Sequence, residues 1–179
     1  MKFAVACVAV VILAACRTAA PADRDAQAQV AGSLWLQLES EWEPAEPQTG
    51  FTAAASARLL RFYPDGRMAM LACLLLRSSE GTSISRGDGL VFYFGTWRSA
   101  GRDYVADYVK VRETVNWSKD GPPYSRKQTA RVHRSASALN FDGQAFAPAS
   151  VSTAKDFESV THGIEDYEAV RIKEFFEQH

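Results

Sequence analysis

The chain holds 179 residues, 47% of them hydrophobic, and its 20 Lys and Arg against 21 Asp and Glu leave a formal charge of −1. So even a balance excludes the basic stripe of a nucleic-acid binder. The length suits one domain of ordinary size, which can bury a core without metal or disulfide staples.

The first segment reads as an export signal. Lys2 is followed by the uncharged run Phe3 to Leu13 and then by Ala14, Ala15 and Cys16, the charged, apolar, small-residue layout that secretion machinery recognises and removes. The apolar run is too short for a membrane span, which needs roughly 20 residues. Leu13-Ala14-Ala15-Cys16 resembles the lipobox of bacterial lipoproteins at all four positions. That resemblance covers residues 1–16 and implies cleavage before Cys16, a diacylglyceryl thioether on its sulfur, and acylation of the new amino terminus. The alternative is an ordinary secretory signal cut after Ala15 or Ala20. Arg17 stands where the family carries Asp for inner-membrane retention, so the resemblance implies the outer membrane rather than the inner. Each buried CH₂ contributes about 0.8 kcal/mol, and two or three acyl chains hold a domain to the bilayer almost permanently. The lipid bilayer is thus the first expected partner, in a compartment without cytoplasmic ATP or nicotinamide cofactors.

The expected organisation is a removed signal over residues 1–15, a lipidated Cys16 with a tether to residue 31, and one β-rich domain over 32–179. The tether carries no aromatic and hardly any large apolar side chain, too little to order itself. Alternatively, Asp25 to Val30 adds a helical turn.

Leu34, Leu36 and Leu38 alternate with Trp35 and Gln37, the period-2 signature of a half-buried strand. Glu43-Pro44-Ala45-Glu46-Pro47 and Gly50 then predict a surface loop. Pro64-Asp65-Gly66 predicts the turn of a β-hairpin between strands Arg58 to Tyr63 and Arg67 to Leu76, Pro presetting φ and Gly supplying the positive φ that follows. The second of these strands is apolar on both faces and is therefore expected to be central. A buried helix would also suit that run, but the preceding turn and the short length favour a strand.

Ser78 to Gly89 reads as a polar loop. Leu90 to Arg98 is aromatic and β-branched, as strands prefer, and a tight turn at Ser99 to Arg102 leads into a strand over Tyr104 to Trp117. There Val105 and Val109 share one parity, Tyr104 and Tyr108 the other, and Asp107 and Glu113 interrupt the apolar face. Lys119 to Tyr124 is a loop. Strands follow over Arg126 to Arg134, Ala138 to Phe141 and Gln144 to Phe146, with Asp142-Gly143 as a turn. Helix is expected near the end, where Thr153 to Asp156 has capping-box spacing and Glu165 to Glu177 is amphipathic.

The expected fold is mainly β: a single antiparallel meander of seven or eight strands, closing into a barrel or half-barrel because closure removes exposed edges, with a C-terminal α-helix. Phe62-x-x-Asp65-Gly66 and Gly95-Thr96-Trp97 loosely resemble elements of lipocalin-like small β-barrels, although the first strand has Leu34-Trp35 without the Gly that a lipocalin carries there. The resemblance implies a carrier of a small apolar ligand.

No motif for catalysis stands out. His133, His162 and His179 lack ligand spacing to one another or to Cys73, so no metal site is expected, and no cofactor. There is no Gly-x-Ser-x-Gly elbow, and Gly87-Asp88-Gly89 lacks the Lys of a phosphate loop. Asp107 and Glu113 on one strand would stand roughly 20 Å apart at 3.3 Å per residue, too far for a glycosidase pair. Cys7 leaves with the signal and Cys16 takes lipid, so Cys73 has no disulfide partner, and its apolar surroundings make it an inert core thiol.

Two sets of residues are candidates for binding. Arg126, Lys127, Arg131 and Arg134 concentrate charge that could meet an anionic head group, a sugar phosphate or an acidic partner, or could be a solvated face. Trp97, Tyr104, Tyr108 and Trp117 could line a barrel mouth for an apolar ligand, or could fill the interior as is normal in small barrels. The favoured reading is a non-catalytic envelope lipoprotein that contacts another envelope component. The alternatives are a lipocalin-like carrier and a hydrolase with dispersed catalytic residues.

Overall fold

A computed structural model describes residues 30–85, 90–111, 126–135 and 137–161. Cys16, nearly all of the tether, Glu113, Trp117, His162 and the helix expected over Glu165 to Glu177 lie outside the described residues.

Among the described residues ten strands follow in chain order: β1 (Leu34–Leu38), β2 (Glu43–Pro44), β3 (Ala53–Phe62), β4 (Arg67–Ser78), β5 (Gly81–Ile84), β6 (Val91–Ala100), β7 (Asp103–Lys110), β8 (Gln128–Arg134), β9 (Leu139–Phe141) and β10 (Gln144–Pro148). Eight of them close a ring in which β1, β3, β4, β6, β7, β8, β9 and β10 each pair antiparallel with the next, and β10 returns to β1. This is the expected meander, closed as a barrel of eight strands. The short strands β2 and β5 lie outside the ring, on β3 and β4. Both fall in segments whose sequence reads as loop, because Pro, Gly and Ser signal breaks and give no hint of an edge that a long hairpin offers.

Turn chemistry sets the register. At the β9–β10 hairpin Phe141 pairs with Gln144, and Asp142 and Gly143 both have positive φ, 51° and 85°, as a two-residue type I′ turn requires. The β3–β4 hairpin turns at Pro64-Asp65-Gly66, with Gly66 at φ 87° and its N–H donating to the Tyr63 carbonyl.

Alternation along the strands divides the apolar residues into two cores. Inside the barrel lie Trp35, Leu60, Phe62, Met68, Met70, Trp97, Tyr104, Phe141 and Phe146. On the outer face Leu34, Leu59, Ala69, Leu71, Cys73, Leu75 and Phe94 form a second core around Phe157. Phe157 belongs to helix α1 (Val151–Thr161), which covers this part of the wall. Strand β4 therefore buries both faces, Met68 and Met70 inward and Ala69, Leu71 and Cys73 under the helix, which is why its sequence is apolar without alternation.

The helix begins one turn before the expected cap. Ser150 accepts from the Thr153 N–H at 3.2 Å, so Ser150 is the N-cap, while Thr153 is buried within the first turn. At the other side of the helix, the Asp156 carboxylate accepts from the backbone N–H of Ile84 on β5.

Candidate functional site

In an antiparallel ring the C-terminal ends of β1, β4, β7 and β9 meet the N-terminal ends of β3, β6, β8 and β10 at one end of the barrel. The opposite ends of those strands meet at the other. The two ends differ in chemistry.

One end is closed by aromatic packing. Trp97 stands edge-on to Phe62 and to Tyr104, each at a centroid distance of 5.3 Å, and its indole donates to the Tyr63 carbonyl at 2.9 Å. Val30 is fully buried in the same core, and Gly32 at φ 84° donates its N–H to the Phe62 carbonyl. The last residues before β1 thus plug this end. Arg134 lies over the Trp35 ring at 5.7 Å.

The other end is polar. Gln37 shares its parity with inward Trp35, Arg58 with Leu60 and Phe62, Tyr93 with Trp97, Tyr108 with Tyr104, Gln128 with Val132, and Gln144 with Phe146. Arg58 is directly opposite Gln37 across β1 and β3. Its Nη2 pairs with the Glu39 carboxylate at 2.7 Å, and Gln37 donates its side-chain amide to Gln144 at 2.7 Å. Two atoms remain: the Arg58 Nε and the Gln37 Oε1 are buried and have no hydrogen-bond partner among the described residues. Such an atom forgoes solvation without compensation, at about 1–3 kcal/mol. Lys110 ends β7 opposite Tyr93. Burial pushes the Tyr108 phenol above its ordinary range, with Asp142 and Tyr93 adding to the rise and Arg58 opposing it.

The residues singled out from sequence separate between these places. Trp97 and Tyr104 belong to the closed end, and Tyr108 sits beneath the polar one, against Phe141 at 5.5 Å and Tyr93 at 6.2 Å; all three are buried. Trp117 lies outside the described residues. The basic group does not share one face: Arg131 points outward and is exposed, Arg134 points inward at the closed end, and Arg126 precedes β8 at the polar end. Residues 131 and 134 are an odd number apart, so a strand must turn them to opposite faces.

The groups considered for catalysis are committed elsewhere. Asp107 is on the outer face, where it accepts from Thr129 at 2.6 Å and from Arg98 at 3.0 Å. His133, also outward, pairs through Nδ1 with Asp103 at 2.7 Å. Burial pushes the Cys73 thiol up to about 12, with the Asp156 and Glu39 carboxylates adding to it. Among the described residues no group of three His, Cys, Asp or Glu is placed to hold a metal ion, and no helix is long and apolar enough to cross a membrane.

Sequence reading passed over Gln37, Glu39 and Arg58. Their signal was parity: each is a polar residue in register with the aromatic or apolar residues of the barrel interior.

No protein-family model matches the chain, and no curated protein or solved structure matches it either.

Proposed function

We propose that this chain is a lipoprotein of a bacterial envelope whose non-catalytic barrel takes up a small molecule at its polar end. The anchor half rests on Leu13-Ala14-Ala15-Cys16 behind a short apolar run. In this reading Cys16 carries the lipid, the bilayer is a constant partner, and Arg17 directs the protein to the outer membrane. The binding half rests on one observation, the polar set Gln37, Glu39, Arg58 and Gln144 that closure of the ring gathers at one end of the barrel. Binding sites are concave and orient their ligand with a few placed polar groups. The aromatic packing below Tyr108 supports a ligand seated near the polar end rather than an apolar one sunk through the barrel. This favours the carrier reading over docking to an envelope protein, and shifts the ligand from apolar towards polar.

Metabolic labelling with an alkyne fatty acid, followed by native mass spectrometry of the protein released from its own envelope, tests both halves. The reading expects label that Cys16→Ser abolishes, and a small molecule that co-purifies with the wild type and is lost in Arg58→Met. Label unaffected by Cys16→Ser would overturn the anchor. Identical co-purifying mass in Arg58→Met would overturn the site.

A further inference from the structure

Resting on the anchor half of that reading, we propose that the closed end of the barrel is a membrane-docking face, on which Arg67, Arg98 and Arg102 meet the anionic head groups of the bilayer that holds Cys16. The polar end then points away from the membrane, and whatever reaches it comes from the aqueous side. Two independent observations carry this: the place where the chain enters the barrel, and the charge around that place.

The chain enters at the closed end. Val30 is fully buried in the interior core, and the Gly32 N–H donates to the Phe62 carbonyl at 2.8 Å. Residues 17–29 separate this plug from Cys16, and a coil of that length spans roughly 20 Å. Strand β3, with ten residues, runs roughly 30 Å at 3.3 Å per residue. The anchor therefore holds the closed end beside the bilayer, and brings the polar end down only by laying residues 17–29 along the barrel wall.

Charge favours the same direction. Around this rim stand Arg67 at the start of β4, Arg98 near the end of β6 and Arg102 in the turn between β6 and β7. That turn has two residues between the paired Ala100 and Asp103, and Gly101 takes the first place at φ 76°, as a type II′ turn requires, which carries Arg102 exposed at the tip. Arg134 adds its charge from the end of β8. Asp65 pairs with Arg67 at 2.7 Å and Asp107 with Arg98 at 3.0 Å, yet the two arginine side chains stay 37% and 64% exposed, while Asp103 is turned to His133. Ion pairs this exposed are weak, whereas a phosphate takes a guanidinium in a bidentate, charge-assisted pair. Among the described residues the polar end has no cationic excess, because Glu39, Glu41, Glu43, Glu46 and Glu80 offset its cations.

The test uses the mature acylated protein in vesicles of phosphatidylethanolamine and phosphatidylglycerol that carry a head-group nitroxide as quencher. A fluorophore is attached through Ser99→Cys at the closed end or, in a second sample, through Glu80→Cys at the polar end; Cys73 is buried and does not compete. The proposal expects strong quenching at position 99 and little at position 80. Arg98→Gln combined with Arg102→Gln should lower the ratio of docked to undocked barrels about 5-fold for each arginine, the worth of one cation near an anionic surface, while the lipid keeps the protein on the vesicles. Phosphatidylcholine in place of phosphatidylglycerol, or high salt, should release the unsubstituted rim in the same way, which keeps the test decisive if the double variant is destabilised. Equal quenching at the two positions, or stronger quenching at position 80, in protein that floats with the vesicles would overturn the docking face and leave the anchor standing. Quenching at position 99 that neither the double variant nor neutral lipid reduces would overturn the head-group contact. Protein that carries no lipid and does not float removes both this proposal and the anchor beneath it.

Discussion

Trp97 donates its indole N–H to the backbone carbonyl of Tyr63 at 2.9 Å, which ties β6 to the turn joining β3 to β4. The backbone repeats the tie, the Trp97 N–H donating to the Gly66 carbonyl at 2.8 Å. Trp97→Phe keeps an aromatic ring between Phe62 and Tyr104 but drops the side-chain bond, and is expected to cost about 1–2 kcal/mol. Trp97→Ala empties the closed end and should cost about 3–5 kcal/mol. Urea unfolding of the two variants should reproduce that order.

Gly95, two residues earlier, leaves no room for a side chain beside β7. A Cβ there would lie 2.0 Å from the Asp107 carbonyl oxygen and 2.7 Å from the Tyr108 Cα. Both atoms are backbone, so no side chain can swing aside. Gly95→Ala should therefore cost at least the upper part of the range of about 1–3 kcal/mol seen for overpacking, and should raise amide exchange along β7. A variant as stable as the wild type would refute the close approach.

Cys73 gives a pH signature. Its thiol has a folded-state pKa raised from 9.0 to about 12, chiefly by burial. Between those values the folded chain holds a proton that the unfolded chain loses, so this group's contribution to stability is complete below about pH 9 and falls by about 1.4 kcal/mol per pH unit as pH rises towards the folded pKa. The difference in stability between wild type and Cys73→Ala, followed from pH 8 to 11, should shrink with that sign. Thiol reagents at pH 8 should label Cys73 only as fast as the chain opens.

Asp156 fastens α1 to β5 through the Ile84 N–H. Removing the acceptor in Asp156→Ala costs the bond to a charged group, about 1.5–3 kcal/mol, and should speed hydrogen exchange at Ile84 before it affects β7 or β8. The same substitution removes one of the two carboxylates that raise the Cys73 thiol, so the Cys73 pKa should fall. Exchange and titration together separate this local role from general destabilisation.

Arg131 and Arg134 should behave differently despite their proximity in sequence. Arg131→Ala, at an exposed outward position, should leave stability within about 0.5 kcal/mol. Arg134→Ala loses its place over Trp35, and should cost about 0.5–2 kcal/mol. Thermal melts of both variants would show whether β8 divides them between faces.

Local rules decided much of this molecule in the sequence itself. Period-2 alternation marked β1 and β7, Pro64-Asp65-Gly66 and Asp142-Gly143 dictated two hairpins, and an apolar β4 announced a strand buried on both sides. Those signals depend on neighbours one to four residues apart, and so they survive in a single chain. Closure of β10 onto β1 was expected only in outline, because pairing across more than a hundred residues leaves no local trace. The same holds for the seat of α1 on the outer wall, and for β2 and β5, which exist as strands through the partners beside them. The polar end is the sharpest case. Gln37, Arg58 and Gln144 are unremarkable in the sequence, and only ring closure, which turns their shared parity inward at one end, brings them together.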